Sequence, residues 1–384
     1  MKITVAMDSF KGSLSSMMAG QAVSDGILRV YPEAEVQVRP LADGGEGTVE
    51  ALVCGMGGKE ERITVTGPVG KPVECSYGLV KKSGTAVIEM SGAAGITLVP
   101  EKDRNPMYTT TYGVGEVIRD AVQKGCRKFI IGIGGSATND GGIGMLQALG
   151  YGFLNAGGEQ VPFGARGLAE LERITDTCVL PELSECKFEI ACDVTNPLCG
   201  DRGCSAVYGP QKGADPLMIK DMDRWLEGYA ELAGKKFCGA DPKQPGTGAA
   251  GGLGFAFLTF TNAVLKSGIQ IVLEETRLEE YIRESGLVIT GEGRLDGQTA
   301  MGKAPVGVAE LAKKYNKPVV AFAGCIAEDA RKCNSRGIDA FFPILRETVT
   351  IGKAMEPEYA QKNMAAAAEQ VMRLWRCRED YERK

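Results

Sequence analysis

The chain has 384 residues and no histidine. Without imidazole it cannot build Ser-His-Asp or Cys-His nucleophile pairs, phosphohistidine intermediates or histidine-based metal sites. A general base that works near neutral pH must therefore come from Asp, Glu, Lys, Tyr or Cys. Because several glycine-rich stretches carry carboxylates, we expect the base to be aspartate or glutamate.

Cysteine is present, but its spacing supports few functions. The twelve cysteines include no C-x-x-C pair. The closest group, Cys192, Cys199 and Cys204, would need a fourth thiolate from elsewhere to complete a tetrahedral zinc site. Scattered cysteines such as Cys54 and Cys126 are typical of small buried hydrophobic residues in a reducing cytosol.

An excess of positive charge and a long apolar run are missing too. The 44 basic and 49 acidic residues give a net charge of −5, so no basic surface for nucleic acid is expected. The uncharged stretch 244–265 holds five glycines, which predicts a glycine-rich loop leading into a buried helix rather than a membrane span. The apolar start at 2–7 is too short for a signal peptide and indicates a buried strand. We therefore expect a soluble cytoplasmic protein that contacts neither nucleic acid nor membrane.

The two ends of the chain share an alternation of strand and helix. At the N-terminus, strands at 2–7 and 35–39 flank a helix over 13–30 that Ser13 caps, and a helix at 48–56 follows. The C-terminal part repeats this alternation, with strands expected at 287–290, 318–323 and 338–343. Two strands do not make a stable doubly wound sheet, whereas five do.

The middle of the chain has a different pattern. Short strands at 62–65, 73–79 and 85–90 follow one another without a helix, which predicts an antiparallel meander. We therefore predict an α/β protein of two domains. A parallel-sheet domain is formed by residues 1–60 plus 285–384, and a mixed α/β domain is inserted at 61–284.

The loop PLADGGEGT at 40–48 lies between a predicted strand and a predicted helix. Ligands bind at the carboxyl ends of strands in open α/β sheets, and Gly44 and Gly45 let the backbone approach a ligand. Asp43 and Glu46 suit a Mg²⁺ ion or a base that takes a hydroxyl proton. The alternative is that both cap the following helix. The absence of histidine favours Asp43 as the group that handles a substrate hydroxyl, and Glu46 stays open between cap and ligand.

Two further loops follow strands of the same predicted sheet. In the first, at 8–13, Lys11 lies at a helix start, where it either binds an anion or is simply solvated. In the second, at 290–299, Arg294 suits a carboxylate or phosphate, and Glu292 and Asp296 are candidate bases or metal ligands. These loops and 40–48 are expected to converge on one crevice facing the inserted domain.

Other candidate residues lie in the predicted inserted domain. The loop at 134–142 supplies backbone N–H groups, the hydroxyls of Ser136 and Thr138 and the carboxylate of Asp140, which suits phosphate and Mg²⁺. It matches neither the Walker A nor the G-x-G-x-x-G pattern, and a compact turn is the alternative. Asp193 follows a strand and suits a metal or hydroxyl contact, with a β-turn as its alternative.

Long motifs in order along the chain resemble those of bacterial type I glycerate kinases, from the first strand to about residue 345. They are DSFKGSLS at 8–15, PLADGGEGT at 40–48, GIGGSATNDGG at 132–142, ACDVTNPLCG at 191–200, YGPQKGA at 208–214, and TGEGRLDGQT with GKAP at 290–305. The resemblance implies phosphorylation of glycerate by ATP with Mg²⁺, usually at the 2-hydroxyl to give 2-phosphoglycerate. It also implies a flavodoxin-like domain interrupted by one that resembles a restriction-endonuclease fold. Tyr208 stands where the family often has Phe.

Phosphoryl transfer needs an in-line hydroxyl, Mg²⁺ on the phosphates and positive charge where negative charge builds up. On the resemblance, we assign Asp43 or Asp296 to the glycerate hydroxyl, and Lys11 and Arg294 to the glycerate carboxylate or the γ-phosphate. Mg²⁺ is assigned to Asp193 and Asp140, and ATP phosphates to the 134–138 loop. The remaining substrate and phosphate contacts are assigned to Asp8, Ser9, Gly44, Gly45, Glu46, Gly134, Gly135, Ser136, Thr138, Lys212, Gly291, Glu292 and Lys303.

Two other functions are alternatives to kinase activity. A phosphatase or mutase would act through a phosphorylated Asp8, but Phe10 stands where that motif needs a second aspartate. A sugar-acid sensor would need a DNA-binding segment, and the sequence has no added segment or basic patch. The sequence leaves open which hydroxyl is phosphorylated, which enantiomer and nucleotide are preferred, and what the oligomeric state is. It is compatible with a homodimer.

Overall fold

The structure is a computed structural model that describes residues 1–42 and 47–382, with side chains as far as residue 377. Four residues of the predicted site, Asp43, Gly44, Gly45 and Glu46, lie outside the described residues. Their predicted roles stay predictions. No helix among the described residues has both the length and the apolar composition needed to cross a membrane.

Strands and helices alternate through most of the described chain. The strands are β1 (Lys2–Met7), β2 (Glu35–Val38), β3 (Lys59–Thr66), β4 (Pro72–Val80), β5 (Thr85–Glu89), β6 (Lys128–Gly132), β7 (Gly152–Leu154), β8 (Arg173–Thr175), β9 (Lys187–Ala191), β10 (Ala263–Lys266), β11 (Leu287–Leu295), β12 (Val319–Ile326) and β13 (Ala340–Pro343). The α-helices are α1 (Ser16–Leu28), α2 (Thr48–Met56), α3 (Ser91–Ala94), α4 (Tyr112–Gln123), α5 (Ile143–Ala148), α6 (Ala165–Ala169), α7 (Cys204–Tyr208), α8 (Pro216–Gly234), α9 (Ala249–Phe260), α10 (Gly268–Glu275), α11 (Leu278–Glu284), α12 (Ala304–Lys314), α13 (Ile351–Met355) and α14 (Pro357–Glu382). Short 3₁₀ helices cover Ile96–Leu98, Glu101–Asp103, Pro181–Glu185, Pro210–Lys212, Thr299–Met301 and Glu328–Arg336.

The chain divides into two compact units. The first comprises Met1–Asp43, Glu50–Met56 and Ile269–Lys384, and the second comprises Gly44–Val49 and Gly57–Gly268. The last division between the two units lies after Gly268, and the predicted domain boundary at residue 285 stays a prediction. In the first unit, Ile269 of α10 packs against Gly307 of α12, and α11 contacts β1.

The first unit contains a five-stranded sheet in the order β2-β1-β11-β12-β13, with every neighbouring pair parallel. Numbered within this sheet, the order is 2-1-3-4-5, a common order for doubly wound sheets. Helices α1 and α14 pack together closely. A Cβ on Gly26 would lie 2.2 Å from the carbonyl oxygen of Ala365, so only glycine fits there. The predicted α/β class with a parallel sheet from both chain ends is confirmed.

The second unit contains a six-stranded mixed sheet in the order β10-β9-β6-β5-β4-β3. The pairs β3–β4 and β4–β5 are antiparallel, so the predicted meander is confirmed, and β5, β6, β9 and β10 are parallel. Its core holds many aromatic rings, among them Phe129 and Phe188, which stack at 4.8 Å between ring centroids. A separate pair, β7 and β8, is antiparallel.

Two predicted boundaries that bear on the site are wrong. Helix α1 is capped by Ser15, whose Oγ accepts from the N–H of Met18. The helix begins later than predicted because Phe10 and Leu14 form a β-bridge, which keeps the residues before Ser15 out of the helix. Strand β11 runs through Leu295 rather than ending at Thr290, since its pairing with β12 continues to Leu295 and Ile326. Glu292 and Arg294 therefore lie on a strand, not in a loop.

Candidate active-site loops

The first unit brings the 8–13 loop against the end of β11. The N–H of Asp8 donates to the carbonyl of Gly291 at 2.8 Å. A Cβ on Gly293 would lie 3.4 Å from Cα of Phe10 and 3.7 Å from the backbone nitrogen of Lys11. Two of the three segments expected at this sheet edge are therefore neighbours in the structure.

Two carboxylates at this edge are buried. Asp8 is 5% exposed and accepts from the N–H of Ser9 at 2.7 Å. Glu292 is 7% exposed and accepts from the hydroxyl of Thr299 at 2.5 Å. Burying a charged carboxylate is costly unless it is paired or hydrogen-bonded, so these two buried acidic side chains mark this edge as a candidate polar site.

Asp296 shapes the turn after β11. Its Oδ1 accepts from the N–H groups of Gln298 at 2.9 Å and Thr299 at 3.3 Å. Its Oδ2 lies 3.3 Å from Nε of Arg294, whose side chain is 66% exposed. The carboxylate thus orients the guanidinium, which stays accessible to an anion.

The two predicted lysines of this unit have no ion-pair partner among residues 1–42 and 47–382. Lys11 is exposed in the loop after β1, and Lys303 is half-buried at the N-cap position of α12. Both are available to an anionic ligand, although nothing in the described part of the chain fixes their position.

Some buried hydroxyl groups of this unit lack a hydrogen-bond partner among the described residues. Buried side-chain oxygens without a partner in the described chain include those of Ser9, Ser13, Ser16 and Thr290. Buried polar groups are nearly always hydrogen-bonded, so each such group needs an explanation. Thr290 lies at the edge where β11 meets the 8–13 loop, and an anion bound there would satisfy hydroxyls of this kind. Ser13, Ser16 and Thr290 were not assigned from the sequence, because serine and threonine also serve as ordinary helix caps.

In the second unit, part of the 134–142 loop has backbone N–H groups that meet no acceptor among the described residues. The loop is anchored by the N–H of Ile96, which donates to Gly135 at 2.8 Å, and by the N–H of Ala137, which donates to Ala94 at 2.9 Å. The N–H groups of Gly134, Gly135 and Ser136 donate to no acceptor among the described residues. Gly135 has φ +73°, as in the concave N–H nests that bind anions.

Lys212 supports this loop from inside the unit. Its ammonium Nζ donates to Ser136 Oγ at 2.8 Å and to the Thr138 carbonyl at 2.6 Å, and the residue is 2% exposed. Burial lowers the pKa of Lys212 to about 8, although nearby Cys204 and Asp140 oppose the shift. The ammonium thus lies on the loop itself, and the predicted direct contact of Lys212 with a ligand stays a prediction.

Asp140 is fully buried and its oxygens are used within the fold. Oδ2 accepts from the N–H of Thr111 at 2.8 Å and from its hydroxyl at 2.9 Å, and Oδ1 accepts from the N–H of Gly142 at 3.1 Å. Burial raises the pKa of this carboxyl, and these hydrogen bonds oppose the rise. The placement favours a structural role over the predicted Mg²⁺ contact. Thr111 was not singled out from the sequence, since a run of threonines carries no distinctive signal.

Asp193 and Asn196 lie on the loop after β9. Asp193 Oδ1 accepts from the N–H of Gly268 at 3.2 Å. The hydroxyl of Tyr208 donates to Asn196 Oδ1 at 2.7 Å, a bond that the phenylalanine common in the family cannot make. The described residues contain no cluster of three or more Asp, Glu or Cys side chains able to hold a metal ion by themselves.

Asp140→Asn is expected to lower the free energy of unfolding by about 3 kcal/mol, because the amide turns an N–H₂ group toward donors that it cannot satisfy. Urea unfolding followed by circular dichroism measures the change. Asp176→Asn provides the control, since Asp176 is an exposed partner of Lys236, and its loss should cost less than about 1 kcal/mol. Equal costs for the two variants would contradict the structural role of Asp140.

Lys212→Met is expected to change how stability depends on pH. The folded pKa of about 8 lies below the unfolded value of 10.5, so between these pH values the unfolded state binds more protons and wild-type stability rises. Below pH 8 the penalty for the buried charge is complete and constant. Between pH 8 and 10.5, the free energy of unfolding of wild type should therefore rise by up to about 3 kcal/mol relative to that of the methionine variant. Urea titrations of both proteins at pH 7.5 and 10 test this, and parallel curves would contradict it.

Comparison with known proteins places the chain in a family. The sequence profile described as "Glycerate kinase family" matches residues 3–376. The chain belongs to the glycerate kinase family. It is 47% identical to a protein named glycerate 2-kinase from Escherichia coli, over 95% of this chain and 97% of the relative. It is 46% identical to a glycerate kinase from Haemophilus influenzae, over 97% of this chain and 98% of that one.

A solved structure agrees with this assignment. The crystal structure of a protein assigned as glycerate kinase 2 from Salmonella typhimurium LT2 matches with a TM-score of 0.91 at 44% identity, covering 99% of each chain. The family predicted from six motifs is therefore confirmed over nearly the whole chain, and with it the class of enzyme, a kinase.

Proposed function

We propose that this member of the glycerate kinase family transfers the γ-phosphoryl group of ATP to the 2-hydroxyl of glycerate, giving 2-phosphoglycerate. The observation that carries the proposal is the 134–136 segment, whose three N–H groups have no acceptor within residues 1–42 and 47–382 and suit phosphate oxygens. The near full-length similarity to a protein named glycerate 2-kinase supports both the substrate and the 2-position.

The first unit supplies the groups suited to glycerate. Arg294, held by Asp296, and Lys11 bind the carboxylate or the transferring phosphoryl group, where positive charge is needed. Asp43 or Asp296 orients or deprotonates the hydroxyl. Asp8, Ser9, Gly291 and Glu292 surround this edge, and Lys303 provides a further cation.

The chemistry of the carboxylates fits Mg²⁺, which takes one or two protein oxygens together with phosphate oxygens and water. Asp193 and Asp140 are the two predicted ligands, and both oxygens of Asp140 already accept hydrogen bonds within the fold. When bound, the ion neutralises charge on the phosphates.

Several finer points belong to the same proposal. The 2-1-3-4-5 strand order supports a flavodoxin-like domain, with residues 1–60 and 285–384 as its predicted extent. The inserted domain at 61–284 is proposed to resemble a restriction-endonuclease fold. We also propose that the protein is cytoplasmic, that it phosphorylates an organic acid at the expense of ATP, and that it forms a homodimer.

The test is a single incubation of the purified protein with ATP, Mg²⁺ and D-glycerate, followed by phosphorus NMR. A 2-phosphoglycerate signal supports the proposal, and a 3-phosphoglycerate signal corrects the position. No phosphoglycerate at all would overturn the function. Samples without glycerate and samples with excess chelator are the controls. A trapped phospho-enzyme would instead favour the phospho-aspartate route through Asp8.

A further inference from the structure

The ammonium of Lys212 is buried without a carboxylate at ion-pair distance among the residues that the structure describes. Its hydrogen bonds go to a hydroxyl and a carbonyl, both neutral, and both on the 134–142 loop. A buried charge with neutral partners costs stability, so this lysine is not explained by what it adds to folding.

Both contacts lie at the C-terminal end of the 134–136 segment, whose N–H groups have no acceptor in the described part of the chain. Ser136 holds one of those N–H groups, and Thr138 follows two residues later. The Thr138 carbonyl is also confined from another direction, since a Cβ on Gly251 would lie 2.1 Å from its oxygen. The N–H of Gly141 also donates to the Gly251 carbonyl at 2.9 Å, which holds residues 138–141 against Gly251.

We propose that Lys212 is a positioning residue for nucleotide binding, which fixes Ser136 and Thr138 so that the N–H groups of residues 134–136 converge on the ATP phosphates. The proposal rests on the kinase function proposed above. It replaces the predicted direct ligand contact of Lys212 with an indirect one. Without the ammonium, the Ser136 hydroxyl and the Thr138 carbonyl lose their shared donor, and the loop samples other arrangements.

Lys212→Met tests this, with calorimetric titration of ATP and steady-state kinetics in both substrates. The ATP Kd is expected to rise at least about tenfold, because small displacements of a binding group cost that much or more. The KM for glycerate should stay within about twofold, and the variant should unfold no earlier in urea than wild type at pH 7. Lys220→Met, on the exposed side of α8, is the matched control and should leave all three values unchanged.

A double-mutant cycle with Ser136→Ala shows whether Lys212 and Ser136 contribute to ATP binding through the same interaction. The two substitutions together should raise the ATP Kd by clearly less than the product of their separate effects. An unchanged ATP Kd in Lys212→Met, or a rise confined to the glycerate KM, would overturn the proposal. Failure of the kinase function is distinguishable, because wild type would then form no phosphoglycerate, whereas here wild type is active.

Discussion

Gly251→Ala is expected to lower the free energy of unfolding by about 4 kcal/mol. Gly251 has φ +68°, which costs an L side chain about 1–2 kcal/mol. The added Cβ would lie 2.1 Å from the Thr138 oxygen and 2.7 Å from Cα of Asn139, and backbone contacts of this kind cannot relax cheaply. Urea unfolding at pH 7, followed by circular dichroism, measures the change.

Substitutions at two other glycines separate the cost of the positive φ angle from the cost of the close backbone contact. Gly200 has φ +88° but no atom within 4 Å of an added Cβ, so Gly200→Ala reports the cost of the dihedral angle alone, about 1–2 kcal/mol. Gly228 lies within α8 with open space around it, so Gly228→Ala should stabilise the helix by about 0.5–1 kcal/mol. If Gly251→Ala cost no more than Gly200→Ala, the close approach to the 138–139 backbone would be refuted.

Asp296→Asn is expected to lower kcat by about a hundredfold or more, on the scale of a lost general base. The amide oxygen can still accept from the N–H groups of Gln298 and Thr299, so the turn should survive. What disappears is the negative charge beside Arg294 and the capacity to take a proton. Steady-state kinetics with ATP and glycerate measure kcat, and urea unfolding checks that the variant remains folded.

Two companion variants sharpen this test. Asp329→Asn removes a charge from the 3₁₀ helix near Gly297, where Asp329 pairs with exposed Lys332, and turnover should change less than about twofold. Asp43→Asn tests the other predicted base and should also lose about a hundredfold in kcat. Near-normal turnover in both Asp296→Asn and Asp43→Asn would show that neither carboxylate handles the hydroxyl.

The sequence was most informative where local pattern and fold agree. The strand at Lys2–Met7 and the helix at Thr48–Met56 have the predicted bounds, because apolar residues, caps and glycines mark them directly. The sequence predicts the antiparallel meander for the same reason. It does not predict the end of β11, because Gly291 and Gly293 suggest a loop. Pairing with β12 decides the matter, and a Cβ on Gly291 would lie 2.1 Å from the Phe322 carbonyl.

For the site, the sequence by itself determined the chemistry. The lack of histidine, the glycine-rich motifs and their order were enough to identify the family and to exclude imidazole from any step. The tertiary structure alone decided what each polar group faces. Lys212 and Asp140 are both ionisable residues in glycine-rich motifs. In the fold, Lys212 donates to the Ser136 hydroxyl and the Thr138 carbonyl, whereas Asp140 accepts from Thr111. Spacing along a chain cannot show such contacts, because hydrogen-bond partners and exposure depend on residues that meet only after folding.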